Sequence, residues 1–439
     1  MSATFGSLIT ALSQRLFDQT PGYLFQFWSQ AELRIYLTEA LRNWQAATMW
    51  FRQRDTFTAT AGTLWYDLTT ALAGNSLQQT VTDLDLVTSV QYRLLEPPGV
   101  PWTGTDQFTL ADVLGALQRR RDQFLSDTGC YMRHSTPAGG AGRILLSDSV
   151  IDIRRLAWRD TASGLYTMLS REDEATLNAF RVGWSQTPGD PQEYSSSVTP
   201  PFVIQIAPPP SASGTLDLLS VSSGATFDGS GVLVGVPDDF AGYVAWGALA
   251  DLLNRDLYAR DAQRSQYCEQ RYLEGVTLAR LATTVMQAQI AGVPVELGTV
   301  PEADQFYSSW SAQTGIPGAV YMAGLNIAAV APPADGSGPY SVSVDVVANA
   351  DIPASDSATV NLSDDMLDCI VDEAAHMAAF KEGGAEFAAT IPNHQRFLRL
   401  AAEVSGKFDA DALMPDMLKD KARKPRVEHP ERETEEAAA

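Results

Sequence analysis

Two stretches 126 residues apart constrain this chain more than any other feature. Val236-Pro237-Asp238-Asp239-Phe240 opens a helical pattern that continues through Val244, Ala248, Leu252 and Leu253. Leu362-Ser363-Asp364-Asp365-Met366 opens another, through Ile370, Ala374, Ala378 and Phe380. Shifted by 126 positions, Asp238 falls on Asp364, Asp239 on Asp365, Phe240 on Met366, Val244 on Ile370 and Ala248 on Ala374. Strand-like sequence precedes each stretch, at Thr215–Val221 and Tyr340–Val347. A second helix follows each. Asp261 caps one that runs through Tyr272, Val276 and Leu281 to about Ile290, and Phe397, Leu398 and Leu400 mark the other, beyond Gly383-Gly384 and Pro392. The pattern reads as a strand plus helical hairpin present twice. The plainer alternative is two ordinary capped amphipathic helices that happen to agree. In either case Asp238, Asp239, Asp364 and Asp365 lie in first turns, where a carboxylate favours the positive end of the helix dipole.

The rest of the chain alternates helical and sheet-like patterns. Leu8, Leu12, Leu16 and Phe17 form a helical stripe that ends at Pro21-Gly22. Ser29 and Glu32 have capping-box spacing, with Trp28 and Leu33 at the staple positions. Leu33, Leu37, Leu41 and Trp44 continue that face, which should run out near Phe51–Arg54. Thr56–Thr60 and Leu64–Leu68 read as a hairpin around Ala61-Gly62, and Val87–Leu95 as a strand. Thr109 caps a helix reaching Leu125 that carries Arg119-Arg120-Arg121. Arg143–Leu146 and Val150–Trp158 read as strands or short helical edges. Met168–Phe180 reads as a short helix, and Phe202–Ile206 as a strand bounded by prolines. The expected class is α+β. The expected organisation has a domain over 1–295, with helices 4–54 and 236–290 packing together around a β-rich middle at 56–235. A smaller strand and helical-hairpin domain follows over 296–408, then a charged tail over 409–439. From Asp416 that tail holds six basic and seven acidic residues.

Charge narrows the chemistry. The 439 residues carry 31 basic and 53 acidic side chains, a formal net charge of −22. That balance argues against a protein whose task is to grip DNA or RNA, because such affinity comes from many Lys/Arg–phosphate contacts. The five lysines begin at Lys381, so the positive charge before it is Arg alone. GC-rich coding is the plain source of that bias, and selection for planar, bidentate Arg pairs is the other. Three clusters, Arg52/Arg54, Arg119–Arg121 and Arg154-Arg155, are candidates for pairing with acids between subunits, against the readings of a solvated face or phosphate contact. Cys130, Cys268 and Cys369 stand apart and suggest neither a zinc site nor a disulfide framework. His376 and His394 can meet across the last hairpin, but spacing places no third ligand beside them. The sequence carries no nucleophile-elbow, zinc-protease, P-loop or dinucleotide fingerprint. The Asp83/Asp85, Asp238/Asp239 and Asp364/Asp365 pairs are placed for capping rather than for acid–base work across a cleft. No catalytic, cofactor-binding or metal residue is expected, and no cofactor. Neither a membrane span nor a signal peptide is indicated.

A run near the start carries a resemblance. Trp28-Ser29-Gln30-Ala31-Glu32-Leu33, Tyr36-Leu37-Thr38-Glu39-Ala40-Leu41-Arg42-Asn43-Trp44, the Arg52–Thr60 strand and Gly62 through Trp65-Tyr66-Asp67-Leu68 resemble the N-terminal region of tail-tubular-A-like head–tail adaptors of short-tailed bacteriophages. Thr38 stands where that family often has Asn, and Thr69 where Pro is common. The Pro237-Asp238-Asp239 helix, with Ala248-Leu249-Ala250 and Tyr267 and Tyr272, resembles the hairpin that closes such adaptors. The likeness covers about residues 5–290, and the chain is much longer than the compact adaptors. It implies a non-enzymatic virion protein, assembled in the host cytoplasm, that forms a homo-oligomeric ring in the neck, commonly of twelve copies. The ring would join the portal protein to a downstream tail or nozzle protein and conduct DNA during ejection without binding it tightly. Another phage tail structural protein, a wedge or peripheral decoration without lumen contact, is the alternative reading. A tail-associated hydrolase is the remote one.

Overall fold

The computed structural model describes residues 3–413, apart from 17–18, 21–22, 25–26, 73–76, 95–107, 138–142, 163, 165, 182, 256–259, 308–309 and 313. The Gly139–Gly142 loop, His429 and the charged tail beyond residue 413 lie outside the described residues. The class is α+β.

The chain begins with helices α1 (Phe5–Arg15) and α2 (Gln30–Thr48), then strands β1 (Arg52–Ala59) and β2 (Trp65–Asp67). Helices α3 (Asp83–Arg93) and α4 (Leu110–Thr128) follow, then β3 (Arg133–Ser135), β4 (Arg143–Leu145), β5 (Val150–Asp160), β6 (Tyr166–Met168) and β7 (Ser170–Arg171). A short helix α5 (Glu174–Phe180) leads to β8 (Glu193–Ser196), β9 (Val203–Ala207) and β10 (Gly214–Ser222). The long helices α6 (Asp238–Leu253) and α7 (Ala262–Leu281) come next. The same sequence of elements then recurs: β11 (Val285–Ile290), β12 (Val293–Pro294), β13 (Glu296–Thr299), α8 (Val300–Phe306), β14 (Ala319–Ala323), β15 (Ile327–Ala331), β16 (Tyr340–Val347), α9 (Asp364–Ala379) and α10 (Ile391–Ser405).

Strand pairing shows what this recurrence is. The last strands reach back across the chain: β16 pairs with β1, and β15 with β2. One four-stranded pair of sheets runs β12-β11-β16-β1 and β13-β14-β15-β2. The other runs β6-β5-β10-β3 and β7-β8-β9-β4. Strand for strand the two orders are the same, including the one parallel pairing in each, β13 with β14 and β7 with β8. Each pair of sheets encloses its own apolar core, one built on Val320, Val330, Val342 and Val344, the other on Leu156, Ile204, Ile206 and Leu216. The helices match as well. Helices α1 and α3 each span 11 residues, α2 and α4 each span 19, α6 and α9 each span 16, and α5 and α8 each span seven.

The molecule is therefore two copies of one module, one nested inside the other. Module B runs continuously from α3 to α7. Module A is α1-α2-β1-β2 joined to β11 through α10, with module B inserted between β2 and β11. Fine details repeat at nearly the same offsets, close to 80 residues in the first half and 126 in the second. Thr4 bridges Thr359 and Thr82 bridges Leu233 at the starts of α1 and α3. Met49 and Gly129 end α2 and α4 in left-handed conformations. Gly189 and Gly315 each pack against a proline, Pro208 and Pro332. A boundary near residue 295 falls inside module A, between strands that share one sandwich. The helices of both modules merge into one apolar core containing Trp44, Phe124, Trp246, Tyr267 and Phe380.

Three local expectations are corrected. Val87–Leu95 was expected as a strand, yet 83–93 is helix α3, because Thr82 and Asp85 form a reciprocal capping box and Leu86, Val87 and Val90 then share a buried face. The Met168–Phe180 helix is only α5, preceded by β6 and β7. Helix α7 stops at Leu281, and the apolar residues up to Ile290 belong to strand β11 instead.

Candidate functional site

The seam between the two modules holds several of the buried charges among the described residues. In the helical layer, Arg93 of α3 pairs with Glu39 of α2 at 2.6 Å, lies over the Trp246 ring, and shares Glu39 with the Trp246 indole N–H. Nearby, Arg271 of α7 reaches Glu373 of α9 at 2.7 Å, with Glu274 at 3.4 Å. His394 completes the group, with Nδ1 2.8 Å from Glu373 and Nε2 2.8 Å from Arg271 Nη1. The Tyr267 hydroxyl meets His376 at 2.6 Å. Burial pushes the Glu373 carboxyl up, but the Arg271 and His394 charges outweigh it and hold it far below the usual range. Burial pushes His394 down, and the Glu373 charge more than reverses this. Burial and the nearby His394 charge keep His376 neutral, well below its ordinary value. The His376 and His394 rings do meet, stacked with centroids 5.2 Å apart. Their partners are Tyr267 and Arg271, and no group of three or more His, Cys, Asp or Glu residues among the described residues is arranged to hold a metal.

In the sandwich layer the seam is built around Arg155 of β5. Its guanidinium binds Asp304 of α8 at 2.8 Å, lies 3.4 Å from Asp217 of β10, and sits beside the Trp65 and Trp310 rings. Asp217 also accepts from the Trp65 indole at 3.1 Å and contacts His134 at 2.9 Å. Burial raises the Asp217 carboxyl, but the His134 hydrogen bond and the Arg155 charge bring it below its ordinary value. The β14–β15 hairpin tip completes the joint. Leu325 N–H donates to Cys130 O at 2.7 Å, and the Asn326 amide bonds both the N–H and the C=O of Met132. A cleft of about 830 Å³ opens beside this joint, lined by Met132, Arg154, Thr299, Val300 and Lys407 among others.

The arginines expected between subunits are mostly committed within the chain. Arg54 grips its cross-strand neighbour Asp345 with two hydrogen bonds. Arg119 and Arg120 share Asp251, and Arg120 also binds Glu269. Arg121 is fully buried, bound to Asp122 and Ala225 O over the Phe227 ring. Arg154 binds Asp152 and the Ser126 carbonyl. Arg155 forms the seam. Arg52 differs: it is exposed, bonds the Met49 carbonyl, and has no carboxylate partner among the described residues.

The cap residues divide in the same way. Ser29 accepts from Glu32 N–H as a cap, while the Glu32 carboxylate turns to Lys381 at 3.0 Å. Asp238 accepts the N–H groups of Thr80 and Val81, so it ties the entry of module B to helix α6. Asp239 is buried and accepts from Ala350 N–H, and burial pushes its carboxyl up to about 7. Asp364 and Asp365 are exposed in the first turn of α9, which Ser363 caps. Sequence reading missed Arg93, Asp217, Arg271, Glu373 and Asp304. The available signal was a lone charge on an apolar helical face, as with Glu373 beside Ile370, Ala374 and Met377.

No family model and no curated protein matches the chain.

Proposed function

We propose that this chain is a structural virion protein that forms a ring in the neck of a short-tailed phage, joining portal to tail and passing DNA. The observation that carries the reading is the head-to-tail contact between two equivalent modules. Module A contributes a hairpin tip, β2 and α8, whereas module B contributes Cys130–His134, Arg155 and Asp217. Unlike surfaces meet, so the contact is heterologous, and repetition of such a contact builds a ring when the rotation closes. The resemblance of the α2–β2 region to head–tail adaptors supports the same reading. Both modules also present an exposed phenylalanine at the end of the same short helix, Phe180 of α5 and Phe306 of α8, suited to a repeating partner in the tail. The net charge of −22 suits a protein lining a channel for DNA, since a lumen that held phosphate would retard it. On this reading the module is the repeating unit, so twelve module positions need half that number of chains. Electron microscopy of the purified chain, alone and mixed with its portal protein, tests the proposal. The expected result is a rotationally symmetric ring around an open channel. A single chain in both preparations refutes it.

A further inference from the structure

The contact that joins the modules within a chain has unused counterparts on each module. The matched strand registers identify them. His134 and Arg155 face Leu219 across their sheet, and Arg54 and Gln287 face Asp345 across theirs. The surface Cys130–His134 of module B therefore corresponds to Trp50–Arg54 of module A, with Trp50 standing where Cys130 does. Cys130 is buried under the β14–β15 hairpin, whereas Trp50 is 44% exposed. On the other side, the β14–β15 tip corresponds to the β8–β9 tip. The first is docked through Leu325 and Asn326; the second carries Val198, 90% exposed. Strand β2, which delivers Trp65 and Asp67 to the seam, corresponds to β4, where Leu145 is 67% exposed.

Charge is complementary at the matching point of the cleft. Met132 lines it with Thr299 and Val300. The counterpart of Met132 is Arg52, an exposed arginine that bonds the Met49 carbonyl and no carboxylate among the described residues. The counterparts of Thr299 and Val300, cap and first residue of α8, are Asp173 and Glu174, cap and first residue of α5. Stacking a second chain in the same relation sets Arg52, with Lys407 nearby, against two exposed acids.

We propose that a second copy of this chain docks on the Trp50–Arg54 face, inserting its β8–β9 hairpin with Val198 and its β4 edge with Leu145. The contact between chains then repeats the one within the chain. This names the subunit interface of the ring, and its closure rests on the ring reading above.

Full-length chains carrying Trp50→Cys and Val198→Cys separately, mixed and oxidised, test it directly. All three native cysteines are buried. A disulfide-linked two-chain product in the mixture, and in neither variant alone, is the expected result. In a parallel assay, Val198→Asp with Leu145→Asp should weaken assembly at least tenfold while leaving the thermal unfolding of the single chain unchanged. Arg52→Glu should weaken it and remove part of its salt sensitivity. Wild-type rings that persist in the Val198→Asp/Leu145→Asp variant, with no cross-link, overturn this interface and leave the ring standing. Cross-linked open filaments support the interface and overturn the ring. A wild-type chain that stays single, with or without portal, overturns both.

Discussion

At the scale of single residues, the molecule's charge is organised around a few buried carboxylates, each with an identifiable counter-group or lacking one. Arg155 neutralises Asp217 and Asp304 together. Arg155→Ala removes the arginine they share and leaves Asp217 with His134 and the Trp65 indole, and Asp304 with the Trp310 indole; breaking a buried pair in this way costs about 3–5 kcal/mol, and a lowered denaturant midpoint, followed by Trp65 and Trp310 fluorescence, is the expected outcome. Asp239 is the opposite case. Its nearest charges, Arg42 and Asp238, do not compensate its burial, and its folded pKa of about 7 stands above the unfolded value of about 3.9. The folded state then binds the extra proton, so the contribution of Asp239 to stability is greatest below pH ~4 and falls as pH rises towards ~7, levelling off above that. Asp239→Asn keeps an acceptor for Ala350 N–H and removes the titration. Denaturation across this range should show a flatter profile for the variant, which gains on the order of 3–4 kcal/mol over wild type above pH 7 and nothing below pH 4. An unchanged slope would refute the assignment. Capping roles at Ser29 and Thr109 were legible because a cap is decided within four residues, whereas at α9 the cap is Ser363 rather than Asp364 or Asp365. The partners of Arg93 and Arg271 were not, because they lie 54 and 102 residues away.

At the scale of elements, local pattern identified most helices and failed where two local signals competed. The β-branched content of Val87–Leu95 suggested a strand, but the Thr82–Asp85 box starts a helix that the core accepts. Strand β1 was legible as a strand, but the expected hairpin with β2 does not form: β1 pairs with β16, 291 residues on at Arg54 and Asp345, and β2 joins the other sheet. Close helix packing offers a sharp test. Gly275 lets α7 approach α6 so nearly that a Cβ there would enter the Tyr243 ring. Tyr243 is buried and donates to Glu274, so it has little freedom to yield. Gly275→Ala should therefore destabilise by about 1–3 kcal/mol, as overpacking does, despite alanine's better helix propensity. A thermal midpoint at or above wild type would show that the two helices can separate at no cost.

At the scale of the whole molecule, the 126-residue recurrence was the visible edge of a larger repeat. The second half of module A follows module B at nearly constant offset, so α6 and α9, or α5 and α8, align directly. The first half precedes module B at a different offset, near 80 residues, as α2 and α4 show. An insertion splits one repeat into two offsets, which hides it from a search for a single period. The nesting makes a physical demand: the ends of the inserted module must lie close together, since they interrupt one sandwich. They do. Leu77, just before the insertion, and Thr283, just after it, line the same small cavity, and Gln78 O accepts from Asn349 of module A. Removing residues 79–282 and joining Gln78 to Thr283 by a short Gly/Ser link should therefore leave module A able to close its sandwich. Module B shows that the direct connection works, passing from β4 to β5 through residues 146–149. The shortened chain should give mixed helix and strand circular dichroism and a protease-resistant core containing both β1 and β16, at reduced stability because Arg271 and Arg93 no longer bridge to it. A shortened chain in which β1 is cleaved as readily as in denaturant would mean that module A depends on its insert to fold, and that the two modules are one cooperative unit rather than two copies of a self-sufficient one.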